Sequence, residues 1–157
     1  MLLLTNQNSL QDHSENVTWQ LVMSQLKDIL DRYSAFLGSI QGALRDKRVK
    51  KEPIRALLGI SKPSIYRKRE DLSLFSFEEL SLVSSHLGIS TEPLDDYLSA
   101  LLQINQIIKR SKWKKQGLME AMNIPASRSA LLTRNPYLWR LEEVKRLTEL
   151  LSKTDDI

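Results

Sequence analysis

Apolar residues recur every three or four positions along most of the chain. The first run begins at Trp19 and continues to about Arg45. Its members are Trp19, Val22, Leu26, Ile29, Leu30, Tyr33, Phe36, Leu37, Ile40 and Leu44. Because this spacing gathers apolar side chains on one face of a helix, it predicts a long amphipathic helix. Similar runs over 77–87 and from Pro93 to Ile108 extend the pattern. The sequence therefore predicts an all-α fold.

Residues 49–69 predict two short helices joined by a tight turn. Gly59 stands where the first helix would end, and glycine readily takes the positive φ of a helix-ending turn. Ser61 is placed to cap the second helix, with Pro63 in the first turn, where a missing N–H costs little. The apolar positions are Ile54, Leu57 and Leu58 in the first helix and Ile65 in the second.

The second of these helices is apolar on one side and basic on the other. With Ile65 buried, helical spacing turns Lys62, Tyr66, Arg67 and Arg69 outward. A short helix with this distribution suits the major groove of duplex DNA.

Three segments carry a family resemblance. They are Gly59-Ile60-Ser61, Phe77-Glu78-Glu79-Leu80 and Leu87-Gly88-Ile89-Ser90. Together they resemble the helix-turn-helix of phage repressors and Cro, the Xre-like family, over roughly residues 35–100. The resemblance implies a lambda-repressor-like helical bundle, a recognition helix at 62–69, and sequence-specific DNA binding that regulates transcription. Lys68 departs from the pattern, because the family usually has an apolar residue there.

The chain resembles itself at an offset of 64 residues. Twelve of the sixty pairs between 28–87 and 92–151 are identical, among them Tyr33 with Tyr97 and Glu79 with Glu143. Asn123 stands opposite Gly59, and both residues are at ease in a helix-ending turn. We therefore expect tandem helix-turn-helix units. The predicted divisions are a disordered tail over 1–16, a first unit over 17–91 and a divergent second unit over 92–157.

Basic residues concentrate in two zones, although the net charge of the chain is only +4. Between Arg45 and Glu70 there are ten Lys/Arg and three acids, a net of +7. Between Lys109 and Arg134 there are seven Lys/Arg and one acid, a net of +6, which leaves −9 for the remainder. Such zones are typical of a polyanion-binding surface, although solvated loops would look the same.

The predicted DNA contacts follow from these patterns and from the resemblance. Base edges would be met by Lys62, Ser64, Tyr66 and Arg67, and phosphate by Arg69. The backbone would be held by Arg48, Lys50 and Lys51 beside the first unit, and by Lys112, Lys114 and Lys115 beside the second. A weaker second reading helix at 126–134 would present Ser127, Arg128, Thr133 and Arg134. For Lys112–Lys115, a solvated linker around a buried Trp113 is the alternative.

The sequence leaves two questions about binding partners open. The apolar face from Trp19 to Leu30 exceeds the needs of one helix-turn-helix unit, so it forms either a homodimer contact or a contact with the second half of the chain. The same fold would also serve as an antitoxin-like or adaptor module that binds a protein partner. Binding to random duplex DNA at low salt separates that alternative from DNA binding.

Several classes of function lack support in the sequence. There are no cysteines, so disulfides and thiolate metal sites are excluded. Neither His13 nor His86 pairs with a carboxylate at metal-ligand spacing, and Glu78-Glu79 and Glu142-Glu143 are neighbours that face different ways on a helix. We predict no enzyme, no metal and no cofactor. No apolar run is long enough for a membrane span, and we expect a cytoplasmic, nucleoid-associated protein.

Overall fold

The computed structural model describes the backbone of residues 12–153 and the side chains of residues 18–153. Every regular element in this range is helical, as the sequence predicts. The α-helices are α1 (Asp12–Arg45), α2 (Glu52–Leu58), α3 (Lys62–Glu70), α4 (Phe77–His86), α5 (Glu92–Arg110), α6 (Lys115–Ala121), α7 (Ala126–Arg134) and α8 (Leu141–Lys153). Two 3₁₀ turns, Leu72–Leu74 and Pro136–Leu138, follow α3 and α7.

By packing, the chain divides into two compact units. One unit comprises residues 31–95, and the other joins residues 12–30 to residues 96–153. We call them the 31–95 unit and the composite unit. This division follows different bounds from the one predicted at residue 91, because the first half of α1 belongs with the later helices. The 31–95 unit buries Tyr33, Phe36, Ile40, Leu44, Ile54, Ile65, Phe75, Leu80, Val83 and Leu94.

The predicted turn residue Gly59 and cap residue Ser61 are confirmed around α2 and α3, and a further cap begins α4. Gly59 has φ 65° and ψ 35° and ends α2. The Ser61 side chain accepts a hydrogen bond from the Ser64 N–H at the start of α3. Ser76 and Glu79 form a reciprocal capping box that begins α4. These local interactions satisfy N–H groups that a helix start leaves without a partner, so they set where each helix begins.

Corresponding elements of the two halves are spaced by 64 residues. Lys62 and Ala126 begin α3 and α7, and Leu72 and Pro136 begin the 3₁₀ turns. Asn123, opposite Gly59, also has a positive φ, of 57°. The only buried polar side chains in the described part of the chain, Ser84 and Thr148, are likewise 64 positions apart. Helix starts, turn geometry and buried polar positions therefore recur together.

Two predictions about local structure need correction. Helix α1 begins at Asp12, so residues 12–16, which we assigned to a disordered tail, are helical; residues 1–11 of that tail lie outside the described part. In the connection after α3, the apolar character of Leu72, Leu74 and Phe75 predicts that all three fill the core. Phe75 is buried, Leu72 is half-buried and Leu74 is 50% exposed, because the 3₁₀ turn points them in different directions.

The apolar face from Trp19 to Leu30 is buried within the chain. Leu26 is fully buried, and Val22 and Ile29 are each 2% exposed. The Trp19 Nε1–H donates to the Leu151 carbonyl of α8 across 3.4 Å. Of the two alternatives, contact with the second half of the chain is therefore the observed one. The alternative, a homodimer through this face, has no support here, because its apolar surface is already covered within the chain.

Candidate nucleic-acid interface

Three of the predicted DNA-contacting side chains form the outer face of α3. Lys62, Tyr66 and Arg67 are exposed, whereas Ile65 is only 2% exposed. At roughly 100° per residue, Arg67 lies about 200° round the helix from Ile65 and so points almost directly away from the core. Among the described residues, no carboxylate pairs with Lys62 or Arg67. This face therefore offers two cations and a phenol to solvent.

Arg69, predicted to bind phosphate, is instead engaged on α3. Its guanidinium lies over the Tyr66 ring, 4.8 Å from the ring centroid, and its Nε–H donates to Glu70 Oε1 across 2.9 Å. The other Glu70 oxygen accepts from Arg45 Nη2 across 3.1 Å. The two arginine hydrogen bonds hold the pKa of Glu70 below its ordinary value. Arg69 thus positions Tyr66 and neutralises Glu70, and its side chain is 30% exposed.

The loop between α1 and α2 supplies exposed cations beside this face in the same unit. Lys47, Arg48 and Lys50 are exposed. Arg48 pairs with Asp46 through Nε and Nη2, at 3.1 and 3.0 Å, yet its side chain stays 91% exposed. The Arg48 hydrogen bonds lower the pKa of Asp46.

Lys51 departs from the prediction that it binds the DNA backbone. Its Nζ donates to the Asp46 and Val49 carbonyl oxygens, the first at 2.7 Å. A cation that satisfies carbonyls at the end of a helix stabilises the turn that follows. Lys51 is therefore a structural residue of this loop, whereas Lys50 beside it remains exposed.

Lys68 turns inward and joins α3 to the next two elements. Its Nζ donates to the Leu74 carbonyl at 2.8 Å and to Glu79 Oε1 at 3.0 Å, and it lies 5.3 Å from the centre of the Phe75 ring. Glu79 Oε1 also accepts the Ser76 N–H. We call Lys68, the Leu74 carbonyl and Glu79 the first brace. The first brace explains how the chain accommodates a lysine at position 68, where the family that it resembles usually has an apolar residue.

The composite unit has the same brace with a different cation. Arg128 Nη2 donates to the Leu138 carbonyl at 3.1 Å, and Arg128 Nε donates to Glu143 Oε2 at 2.9 Å. Leu138 and Glu143 lie 64 positions after Leu74 and Glu79. Arg128, however, corresponds to Ser64 and not to Lys68. The two cations sit four residues apart in the repeat, about one helical turn, so they share a side of their helices.

The second brace engages Arg128, which we predicted at the surface that faces DNA. Its side chain is 22% exposed and that of its partner Glu143 is 16% exposed. The position that Lys68 holds in α3 is taken in α7 by Leu132, which is 1% exposed. An arginine one turn earlier then reaches the same carboxylate, so the brace removes Arg128 from the outer surface. Ser64, the equivalent residue in α3, is likewise half-buried on this flank.

The brace carboxylates are ionised more readily than ordinary glutamates. Partial burial raises the pKa of Glu79, but the hydrogen bonds from the Ser76 N–H and the Lys68 ammonium outweigh it and lower the value from 4.5. The pKa of Glu143 is also lowered from 4.5, because hydrogen bonds from Arg128 and from the Arg140 N–H outweigh the effect of burial. Both ion pairs are therefore intact at neutral pH.

A second cross-link also recurs at 64 residues, and sequence reasoning missed it. Gln41 Nε2–H donates to the Arg69 carbonyl at 3.0 Å, and Asn105 Nδ2–H donates to the Thr133 carbonyl at 3.3 Å. Each amide satisfies a carbonyl in the last turn of α3 or α7 from the preceding long helix. The signal was available, since two carboxamides occupy equivalent positions in the repeat.

The outer face of α7 differs in chemistry from that of α3. In place of Lys62, Tyr66 and Arg67 it carries Ala126, Ala130 and Leu131, all exposed, with Leu131 at 46%. Thr133, predicted to face DNA, donates to the Ser129 carbonyl and accepts from the Lys115 ammonium. Lys115 is thereby engaged as well. Of the four residues predicted on α7, Ser127 and Arg134 remain exposed without such contacts in the described part.

The loop before α6 keeps part of its predicted character. Lys112 and Lys114 are exposed and flank Trp113, which is half-buried. Trp113 is therefore less buried than the interpretation as a solvated linker around a buried Trp113 predicts, and phosphate contact by this loop stays a prediction. The positive charge of this zone is nevertheless smaller at the surface than the sequence indicates, because Arg128 is paired and Lys115 is engaged.

Comparisons with known proteins do not extend these observations: no family model, no curated protein and no solved structure matches the chain. The described residues contain no group of three or more His, Asp or Glu side chains that could hold a metal ion. Among the described helices, none combines the length and the apolar content that a membrane span requires.

Proposed function

We propose that this chain is a DNA-binding protein that regulates transcription, with α2 and α3 acting as a helix-turn-helix and α3 entering the major groove. The observation that carries the proposal is the sorting of cations on α3. Lys68 and Arg69 are bound within the chain, while Lys62 and Arg67 are exposed without a carboxylate partner in the described residues. A helix in the major groove needs this arrangement, with a fixed inner side and free donors outside.

Phosphate contacts in this proposal come from the α1–α2 loop. Arg48 and Lys50 are exposed at the end of α1, the helix whose Arg45 and Gln41 contact the last turn of α3. Cations that flank a reading helix hold the DNA backbone and set the register of the helix. The loop and α3 belong to one compact unit, so this unit alone carries a complete set of contacts.

Under the same proposal the two repeats have diverged in role. Helix α7 presents two alanines and a leucine where α3 presents its lysine, tyrosine and arginine. Alanine and leucine offer no hydrogen bond to a base edge, so α7 does not discriminate guanine, adenine or cytosine. Ser127, Arg134, Lys112 and Lys114 would contribute phosphate contacts only. Our proposal therefore contains one base-reading helix, α3, and not the second, weaker one predicted at 126–134.

The test is a double substitution on α3. We expect Lys62→Ala with Arg67→Ala to weaken binding to a selected duplex by about 1–3 kcal/mol for each lost base contact. Binding to random duplexes should weaken far less. Fluorescence anisotropy of the full chain on both duplexes, at several salt concentrations, measures the two effects separately, because phosphate contacts appear as a slope of log K against log salt.

A matched control removes equal charge elsewhere. Lys27→Ala with Lys145→Ala takes away two exposed cations on α1 and α8 that have no part in the proposal. This control should keep the preference for the selected duplex. Base reading by α3 is wrong if the α3 variant weakens selected and random duplexes equally.

A protein-interaction module is the second candidate, and one observation favours it. The α7 end of the composite unit exposes Leu131 at 46%, Leu138 at 44% and Tyr137 at 41%. Apolar residues exposed on adjoining elements are typical of protein-binding surfaces. Complete absence of DNA binding at low salt would favour this adaptor or antitoxin-like role over the first proposal.

A further inference from the structure

The outer face of α3 is rich in donors and poor in acceptors. Lysine and arginine only donate hydrogen bonds, and the Tyr66 hydroxyl both donates and accepts. Asparagine and glutamine, whose side chains accept from adenine N6 and donate to adenine N7, are absent from α3. The outer face of α3 is therefore suited to base edges that carry hydrogen-bond acceptors.

Glu70 is the one carboxylate on α3, and its oxygens are already used. Oε2 accepts from Arg45 at 3.1 Å and Oε1 accepts from Arg69 at 2.9 Å. A carboxylate is the side chain that reads the N4 amino group of cytosine. Held in this way between two arginines, Glu70 is withdrawn from that role, and its negative charge is neutralised where DNA phosphates would approach.

Arg67 is the donor best placed to read a base. It lies opposite the buried Ile65, and Pro63 stands one turn before it on the same outer side. Next to Arg67, the Arg69 guanidinium stacks on the Tyr66 ring, and this contact fixes the conformation of both side chains. A guanidinium has two N–H groups in a fork that match the O6 and N7 acceptors of guanine.

We propose that α3 recognises guanine through a bidentate contact from Arg67 to O6 and N7. Arg45 and Arg69 hold the Glu70 carboxylate away from the bases, so α3 does not read cytosine through Glu70. This inference rests on the proposed DNA-binding function and names the base that the function requires. Lys62, as a flexible single-point donor, adds a second acceptor contact at the start of the helix.

The experiment begins with selection of bound sequences from a random duplex pool by the full chain. The expected result is a motif with at least one strongly preferred guanine. At that guanine, replacement by 7-deazaguanine removes the N7 acceptor. We expect the affinity of the wild-type chain to fall by about 5-fold, the lower end of the range for a bidentate base contact, because the O6 acceptor remains. Arg67→Ala should bind the guanine and 7-deazaguanine duplexes equally.

A specificity exchange gives an independent readout. Arg67→Gln should lose the guanine preference at that one position and favour adenine there, because glutamine pairs with adenine N6 and N7. All other positions of the motif should persist. Arg67 is exposed, so an unchanged thermal unfolding curve serves as the folding control.

The outcomes separate this inference from the function on which it rests. If the wild-type chain selects no motif at all, sequence-specific reading itself fails. If it selects a motif in which no guanine responds to Arg67, DNA binding stands and the guanine assignment is overturned. If Arg45→Ala, which releases Glu70 Oε2, adds no tolerance of cytosine at positions within the motif, the proposed withdrawal of Glu70 is overturned.

Discussion

At the scale of single residues, the two braces show one task performed by different side chains. The carboxylates of Glu79 and Glu143 and the carbonyls of Leu74 and Leu138 are equivalent in the repeat. The cation is free to vary, because lysine at one position and arginine one turn earlier both reach the same oxygens. A half-buried carboxylate needs such a partner, since an unpaired charge there is costly.

This equivalence predicts a rescue. Lys68→Leu copies the residue at Leu132 but leaves Glu79 without its cation, and we expect it to lower the free energy of unfolding by about 1–3 kcal/mol. Adding Ser64→Arg copies the arginine at position 128 and should recover at least half of that loss. Urea unfolding of the single and double variants measures both changes. A double variant no more stable than Lys68→Leu would show that the braces are not interchangeable.

The pH dependence of stability provides a control for this prediction. Because the folded chain lowers the pKa of Glu79 from 4.5, its contribution is complete above that pH and is lost as the pH falls through the folded value. Glu79→Gln should therefore flatten the acid side of the stability profile while keeping the acceptor for the Ser76 N–H. An unchanged profile would mean that the brace does not depend on the charge of Glu79.

At the scale of elements, the turn between α2 and α3 depends on one left-handed residue. Gly59 has φ 65° with no atom near the position of an added Cβ, so a substitution there meets a conformational cost and no steric clash. The equivalent turn in the composite unit uses Asn123 at φ 57°. Glycine and asparagine are the residues that adopt this region most readily.

We therefore predict a graded response at Gly59. Gly59→Ala should lower the free energy of unfolding by about 1–2 kcal/mol, the penalty for a left-handed alanine. Gly59→Asn should cost clearly less, because the chain itself uses asparagine at Asn123. Thermal or urea unfolding compares the two variants directly. Equal losses for alanine and asparagine would contradict the conformational explanation.

At the scale of the whole molecule, the long helix α1 contributes to both units. Its first half carries the face from Trp19 to Leu30, which is buried within the composite unit, and its second half carries Tyr33, Phe36, Ile40 and Leu44 in the 31–95 unit. A surplus apolar face on one helix is thus satisfied inside the chain. The formation of the fold does not require a second copy to cover it.

Substitution on this face should act on folding and not on association. We expect Leu26→Ala, at a fully buried position, to lower the free energy of unfolding by about 2–5 kcal/mol. Leu21→Ala on the same helix is the matched control, since Leu21 is 56% exposed. A dimer contact at Leu26 would instead make the thermal midpoint depend on protein concentration. Midpoints at two concentrations a hundredfold apart decide between the two.

The sequence by itself determined the local structure of this protein. Gly59, Ser61 and the Ser76–Glu79 capping box act on backbone groups within four residues of themselves, so their roles follow from neighbours in the chain. The apolar spacing marked the helices for the same reason, and the 64-residue offset marked equivalent positions. The exposure of Lys62 and Arg67 on α3 was also predictable, because Lys62 begins the helix and Arg67 lies opposite the buried Ile65.

Only the tertiary structure decided which cations stay at the surface. Lys68 and Arg128 reach carboxylates 11 and 15 residues away, and Gln41 and Asn105 reach carbonyls 28 residues away. Lysine and arginine are long and flexible, so solvent and a distant acceptor are both open to them until the helices pack. Charge counted along the chain therefore overstated the basic surface of the composite unit, where packing paired Arg128 with Glu143.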